Sequence, residues 1–368
     1  MMLKTQAFSS LASRAAWQTQ LQVPTVSVII VNFNGRSYLD NCLQSVLTHS
    51  GRDVEIILVD NQSNDGSADY VINHYPQVQV IRDKNNGYGA GNNLAARVAL
   101  GKYLVFLNPD TCVTPGWLNS LLLPLAANPQ IGLTTPKIAL MDDPQHLNTA
   151  GNNVHLTGLT LCRGMGESVN AFAETAVVPA VSGAAFAIRR ELFMQLGGFD
   201  ADFFLYMEDT DLSLRAQLAG FRCLYVPKSL VYHDYTLRFG PDKTYYQERN
   251  RYMMLLKNLR WRTLLLLLPA LLVTEVLTWG FVLMQEPARF ANKVRAYGWV
   301  LQNWETVIWK RQKTQTRRRI TDGEWLANTT ARLSFEQAGS GVTARVAHWV
   351  FDPFFGAWLW ILQRIVCW

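Results

Sequence analysis

The sequence predicts an α/β domain with a mostly parallel central sheet, followed by a helical region associated with a membrane. Two observations carry this. Short β-branched runs alternate with helically spaced segments through the first part of the chain. Charge and tryptophan then divide unevenly along the 368 residues: residues 1–237 hold 15 basic and 19 acidic residues, whereas residues 238–319 hold 16 and 5. The net charge of +6 averages an acidic region with a strongly basic one, and ten of the twelve tryptophans follow residue 260. Only 17% of the residues are charged, against about 25% in ordinary soluble domains, and 49% are apolar, which excludes a disordered chain.

In chain order, the first 24 residues lack the continuous apolar core of a signal peptide and read as a polar lead-in. Val26–Val31 (VSVIIV) is a continuous apolar run suited to a strand buried on both faces. Asn32–Gly35 breaks it, and Leu39, Leu43, Val46 and Leu47 then follow helical spacing. Val54–Val59 is a second strand ending at Asp60, and a helix runs through Tyr70 and Val71. Val78–Ile81 is a third strand, Ala90–Ala99 a helix, and Tyr103–Leu107 a fourth strand. Such alternation implies right-handed crossovers between parallel strands. The five cysteines are scattered without a C-x-x-C pair, so neither a disulfide framework nor a zinc site is expected and a reducing compartment fits.

Asn32, Asn34, Asp60, Asn108 and Asp110 all fall at the carboxyl ends of apolar strands, the edge where open α/β sheets bind ligands. Asn and Asp also favour turns and helix caps, and for Asn34 and Asp65 that reading stands beside the functional one.

The segments VSVIIVNFNG, EIILVDNQSNDGS, NNGYGAGNNLA, YLVFLNPDT and GGFDADFFLYMEDTDLSLRAQLAG, in this order over roughly residues 25–237, resemble family 2 glycosyltransferases of the GT-A fold. Within that family the chain is most similar to the rhamnosyltransferase-like branch that builds bacterial cell-surface polysaccharides. The resemblance implies a dTDP- or UDP-linked sugar donor, with rhamnose as the first sugar to consider, and a lipid-linked or polysaccharide acceptor. Asp60 is then the nucleotide anchor, accepting from base N–H or ribose hydroxyl groups. Asn32 and Asn34 line the same pocket, and the loop carrying Asn86, Gly87 and Asn92 leads backbone and a helix N-terminus toward the nucleotide. Asn108-Pro109-Asp110 stands at the family's D-x-D position with Asn in place of the first Asp. Asp110 there ligates Mg²⁺ or Mn²⁺, and His233 joins it. Asp209, the second acid of Glu208-Asp209-Thr210-Asp211, is the family's catalytic base for inverting transfer. Glu208 positions the acceptor, and Asp211 reads as an acid favoured by the helix dipole. Ser182-Gly183-Ala184-Ala185 leaves room for a ligand or serves close packing.

Leu264–Met284 is long enough to span a bilayer, but Pro269 and Glu275 interrupt it. Basic residues flank both ends, from Arg249 to Arg262 and from Arg289 to Arg319, whereas a single crossing shows basic bias on one side. A helix in the interface or a re-entrant pair, peripheral or monotopic at the cytoplasmic face of the inner or plasma membrane, is therefore expected. Phe351–Trp368 reads as a second membrane-facing element. A helical subdomain packing Leu264–Leu268 on the catalytic domain is the alternative. No nucleic-acid module is evident. A sugar nucleotidyltransferase and a non-catalytic membrane scaffold remain as other functions. The division expected is 1–24, 25–237 and 238–368.

Overall fold

A computed structural model describes residues 25–235, 242–285, 287–333 and 342–368. The expected lead-in, and the boundary at 237/238, lie outside the described residues. The first elements follow the sequence pattern: β1 (Val26–Asn32), α1 (Arg36–His49), β2 (Val54–Asn61), α2 (Ser67–His74), β3 (Val78–Asp83), α3 (Tyr88–Val98) and β4 (Tyr103–Leu107). There follow β5 (Thr111–Val113), α4 (Trp117–Ala127), β6 (Ile131–Leu140), β7 (Leu147–Thr149), β8 (Asn152–Val154), β9 (Thr160–Cys162), β10 (Ala176–Val178) and β11 (Ala185–Arg189). After α5 (Arg190–Leu196) come α6 (Glu208–Leu218) and β12 (Arg222–His233). The remaining helices are α7 (Lys243–Asn258), α8 (Trp261–Gln285), α9 (Phe290–Gln302), α10 (Trp304–Arg317), α11 (Asp322–Ala327) and α12 (Val342–Ile365).

Among the described residues ten strands form one sheet, in the order β10-β12-β6-β11-β4-β1-β2-β3, with β5 on β12 and β7 on β6. The run β4-β1-β2-β3 is parallel, as expected, and so is the pair β6–β12. β11 is antiparallel to both its neighbours, and β5, β7 and β10 also pair antiparallel, so the sheet is mixed. Between β6 and β11 the chain forms the short strands β7 to β10 and no helix, so no βαβ unit joins them. The chain leaves β1 toward β2 on one side and β4 on the other, which makes this edge a topological switch point.

Both faces of the sheet are covered, which is why its strands read as unbroken apolar runs. Val28, Ile30, Leu58 and Val105 pack with Leu39, Leu43 and Trp117; Ile29, Leu104, Phe106 and Phe186 pack with Ala95, Phe193 and Leu212. A third core joins Leu156, Phe203 and Leu214 to Met253, Leu255, Leu267, Phe355 and Leu362. The C-terminal helices are thus packed on the α/β domain, which the alternative reading of Leu264–Leu268 anticipated. Several cations that the sequence reading counted toward a membrane surface are used inside this packing: Arg251 and Lys293 pair with Glu248 and Glu275, and Lys257 with Asp200 and Asp211.

α8 has two apolar sides. Leu264, Leu267, Ala270 and Leu271 are buried, while Leu265, Leu268, Leu272 and Val276 are exposed. Leu267→Ala is therefore expected to lower the unfolding free energy by about 2–5 kcal/mol, and Leu272→Ala to stay within about 0.5 kcal/mol, both read from denaturant melts in detergent.

Candidate active site

β1 and β2 are in register so that Asn32 lies beside Asp60. Both are buried. Asn32 Nδ2 donates to Asp60 Oδ1 at 3.3 Å and to Ser63 Oγ at 3.2 Å, and the Ser63 N–H donates to Asp60 Oδ2 at 3.0 Å. Asn34, at φ 52°, occupies a left-handed conformation that Asn tolerates. Its N–H donates to Ser63 Oγ at 2.9 Å and its Oδ1 accepts from the Asn64 N–H at 2.8 Å. Ser63, which no sequence signal marked, therefore stitches the two strand-end loops together. Asp65 accepts from the Arg36 and Ser67 N–H groups, so it caps α1 and α2, in line with its turn-and-cap reading.

In the glycine-rich loop, Gly87 has φ 91°, and a Cβ there would lie 2.3 Å from Phe204 O. The Tyr88 N–H donates to that carbonyl at 2.8 Å. The close backbone approach predicted for this glycine is thus made to the segment preceding the acidic motif. Asn92 is buried and donates to Tyr88 O within its own helix at 3.0 Å, whereas Asn86 is exposed. Tyr88 Oη donates to Gly183 O at 2.8 Å, which ties this loop to the turn before β11.

Past β4, the Asn108 N–H donates to Ala184 O at 2.9 Å. The β5–β12 ladder sets Thr111 opposite His233 and so brings Asp110 to the same place. Asp110 Oδ1 lies 3.2 Å from His233 Nε2, and His233 Nδ1 lies 2.9 Å from Asn148 Oδ1. An amide oxygen only accepts, so Nδ1 is the ring's donor there, and Nε2 faces a carboxylate oxygen. A carboxylate oxygen and a ring nitrogen this close are bridged by a proton or by a cation. This donor pair fits a divalent ion, although no group of three or more His, Cys, Asp or Glu side chains converges among the described residues.

Glu208 and Asp209 open α6 behind three non-glycine residues at positive φ, Phe204, Tyr206 and Met207. The Gly183 N–H donates to Asp209 Oδ2 at 2.7 Å, and the Thr210 N–H donates to Oδ1 at 2.7 Å. Burial raises the Asp209 carboxyl, and these two N–H groups work against that rise. A Cβ on Gly183 would sit 3.2 Å from Asp209 Oδ2, so the small residue here makes room for the carboxylate itself. Glu208 is buried, and its Oε2 has no hydrogen-bond partner among the described residues. Burial, then the Asp209 charge, push the Glu208 carboxyl up to about 8. Burial raises both of these adjacent acids, and the Gly183 and Thr210 N–H groups oppose that rise at Asp209.

Residues 27–197 match the family model described as Glycosyl transferase family 2. The chain carries a family 2 glycosyltransferase domain. It is 28% identical over 247 residues to an N-acetylglucosaminyl-diphospho-decaprenol L-rhamnosyltransferase of Mycobacterium tuberculosis, over 58% of this chain and 78% of that protein. It is 30% identical over 245 residues to N-acetylgalactosaminyltransferase 7 of Drosophila melanogaster, covering 60% of this chain and 41% of the relative. Its fold matches the crystal structure of GalNAc-T7 with UDP, GalNAc and Mn²⁺, with a TM-score of 0.53 and 24% identity over 64% of this chain and 48% of that one. Residues 27–197 are thus a family 2 glycosyltransferase domain on a GT-A fold, similar to a rhamnosyltransferase.

In this glycosyltransferase Asp211 is a structural acid. It is fully buried, with Arg215 Nε at 2.7 Å, Lys257 Nζ at 2.8 Å and Asn258 Nδ2 at 2.9 Å. The helix dipole foreseen for it is the smaller part of its surroundings. Asn148 and Asn152 escaped the sequence reading because only the folded chain sets them beside His233 and Asp209. Asn152 Nδ2 lies 3.5 Å from Asp209 Oδ2.

Because Glu208 ionises near pH 4.5 when unfolded and near 8 when folded, the unfolded chain binds fewer protons between those values. Stability is therefore expected to fall as pH rises from about 4.5 to about 8 through this group. Glu208→Gln should flatten that decline in urea melts taken at pH 5, 7 and 9.

Proposed function

We propose that this glycosyltransferase is inverting and metal-dependent and moves a sugar, with rhamnose first, from a dTDP- or UDP-linked donor to a lipid-linked or polysaccharide acceptor in cell-surface glycan synthesis. The observation that carries the reading is the Asp209 carboxyl group, held on both oxygens by the Gly183 and Thr210 N–H groups beside a buried Glu208 whose Oε2 has no hydrogen-bond partner among the described residues. An inverting transfer needs one ionised carboxylate to take the acceptor hydroxyl proton as that oxygen attacks the anomeric carbon. Glu208, neutral, orients the acceptor by hydrogen bonding. Asp60, Asn32, Asn34, Asn86, Gly87, Asn92 and Asn108 form the donor side. Asp110 and His233 would hold Mg²⁺ or Mn²⁺, which when bound supplies positive charge to the leaving diphosphate. The mycobacterial relative, whose name specifies L-rhamnose and a lipid diphosphate, supports the choice of sugar and acceptor class.

The division of labour is a catalytic domain over 25–237 and a membrane-associated region over 238–368. α8 is the one helix among the described residues long and apolar enough to cross a membrane. Its central Glu275 bonds Arg251 and Lys293, and Tyr252 and Tyr297 also donate to it. Burial raises this carboxyl, but Arg251, Lys293 and the two tyrosines outweigh it and bring it down to about 2. With one side packed on the protein and Leu265, Leu272 and Val276 about two-thirds exposed, α8 suits a monotopic seat in the cytoplasmic leaflet. Exposed Trp349 and Trp360 of α12 supply interfacial aromatics.

Asp209→Asn is expected to keep nucleoside diphosphate affinity while transfer falls at least a thousandfold; wild-type turnover would remove Asp209 as base. Asp110→Ala should abolish the Mn²⁺ dependence of UDP or dTDP binding in calorimetric titrations. Release of nucleoside diphosphate, with no pyrophosphate, sets this activity apart from a nucleotidyltransferase and a silent scaffold. Wild-type protein should sediment with anionic vesicles, less so at high salt. Leu272→Glu with Val276→Glu should remove that binding, and unchanged sedimentation would place the contact elsewhere.

A further inference from the structure

α7 grips the chain on both sides of the acidic motif. Upstream of it, Phe204, Tyr206 and Met207 hold φ values of 59°, 68° and 68°. Non-glycine residues persist in that region only where their surroundings over-determine them. One buried amide meets the whole segment. Asn250 Nδ2 lies 2.9 Å from Phe203 O, 2.9 Å from Leu205 O and 2.8 Å from Tyr206 O, and Asn250 Oδ1 accepts from Arg249 Nε at 2.9 Å. Arg249 adds a bond to Phe203 O at 2.7 Å and another to Asp202 O. Downstream, Lys257 and Asn258 reach Asp211. The gripped segment includes Phe204, whose carbonyl accepts from the Tyr88 N–H, so the same clamp reaches the loop that opens α3.

Resting on the assignment of Asp209 as base, we propose that Asn250 is a positioning residue for transfer. Its two amide hydrogens, shared among three carbonyls that point one way, fix the left-handed turn that aims Glu208 and Asp209 into the site. Neither carboxylate is hydrogen-bonded to Asn250, so its action passes through the 203–207 backbone. The arrangement needs a donor at this position. An aspartate of the same shape would set a carboxylate against three carbonyl oxygens.

The test uses the full-length protein in detergent micelles, with Asn250→Ala, Asn250→Asp and Asn250→Ser. Hydrogen exchange is followed on peptides covering 203–211 and β1–β4. Turnover is read as nucleoside diphosphate release from dTDP-rhamnose and UDP-linked sugars. In Asn250→Ala and Asn250→Asp, exchange across 203–208 should rise at least tenfold with β1–β4 protection unchanged. In both, kcat should fall at least tenfold while donor KM stays within twofold. Asn250→Ser, which keeps one donor, should fall between these variants and wild type. Exchange and kcat within twofold of wild type would overturn the proposal. So would protection lost equally across β1–β4, which marks a folding role, or an aspartate variant that behaves as wild type. If wild-type protein releases no nucleoside diphosphate, it is the base assignment that fails, and the exchange comparison still decides whether Asn250 holds the turn.

Discussion

The buried carboxylate of Asp211 is the constraint on which the placement of the site depends. A charge removed from water is tolerated only when it is paired and hydrogen-bonded, and Asp211 meets Arg215, Lys257 and Asn258 at once. Arg215 in turn donates to Leu196 O and Gly198 O, and Lys257 also reaches Asp200. One ionised group thereby fixes α6 against α5, the turn that follows α5, and α7. Since Glu208 and Asp209 are the residues just before it, their positions follow from this pairing.

The chemistry then rests on contrast between neighbours. Asp209 has N–H donors on both oxygens, whereas Glu208 Oε2 has none among the described residues, and burial in the absence of donors favours the neutral acid. Across the site, Asp110 Oδ1 and His233 Nε2 face each other at 3.2 Å. The sheet separates these roles: the donor-side residues end β1, β2 and β4, the acids enter on α6, and His233 arrives on β12.

The helical region is continuous with this machinery. Within α7, Arg249 and Asn250 hold the backbone before the acids, and the next residue, Arg251, bonds Glu275 on α8. Several residues whose positive charge reads as a membrane signal in the sequence are consumed by internal ion pairs, while one apolar side of α8 and Trp349 and Trp360 of α12 stay exposed. Composition alone does not separate these two uses, because a buried lysine and a surface lysine contribute the same charge to a count.

The parallel half of the sheet, its helices and the strand-end polar residues were legible because a strand buried on both faces must be apolar and must stop at a polar turn. Asp60 and Asp110 stand at such strand ends, whereas Asp209 and His233 were picked out by the resemblance of their motifs to the family. The antiparallel strands between β6 and β11 were not legible, since three-residue strands carry too little periodicity. Nor were Ser63, Tyr88, Asn148, Asn152 and Asn250, ordinary residue types that become informative only through partners 28 or more positions away, such as Asn32 for Ser63 and Gly183 for Tyr88. The sequence by itself determined the α/β class, the edge at which the strand-end polar residues gather and the acidic motif that the proposed function uses. Tertiary structure decided which acid receives N–H donors, which glycine serves the carboxylate and which cations are internal, because burial and hydrogen-bond partners exist only once distant segments have met.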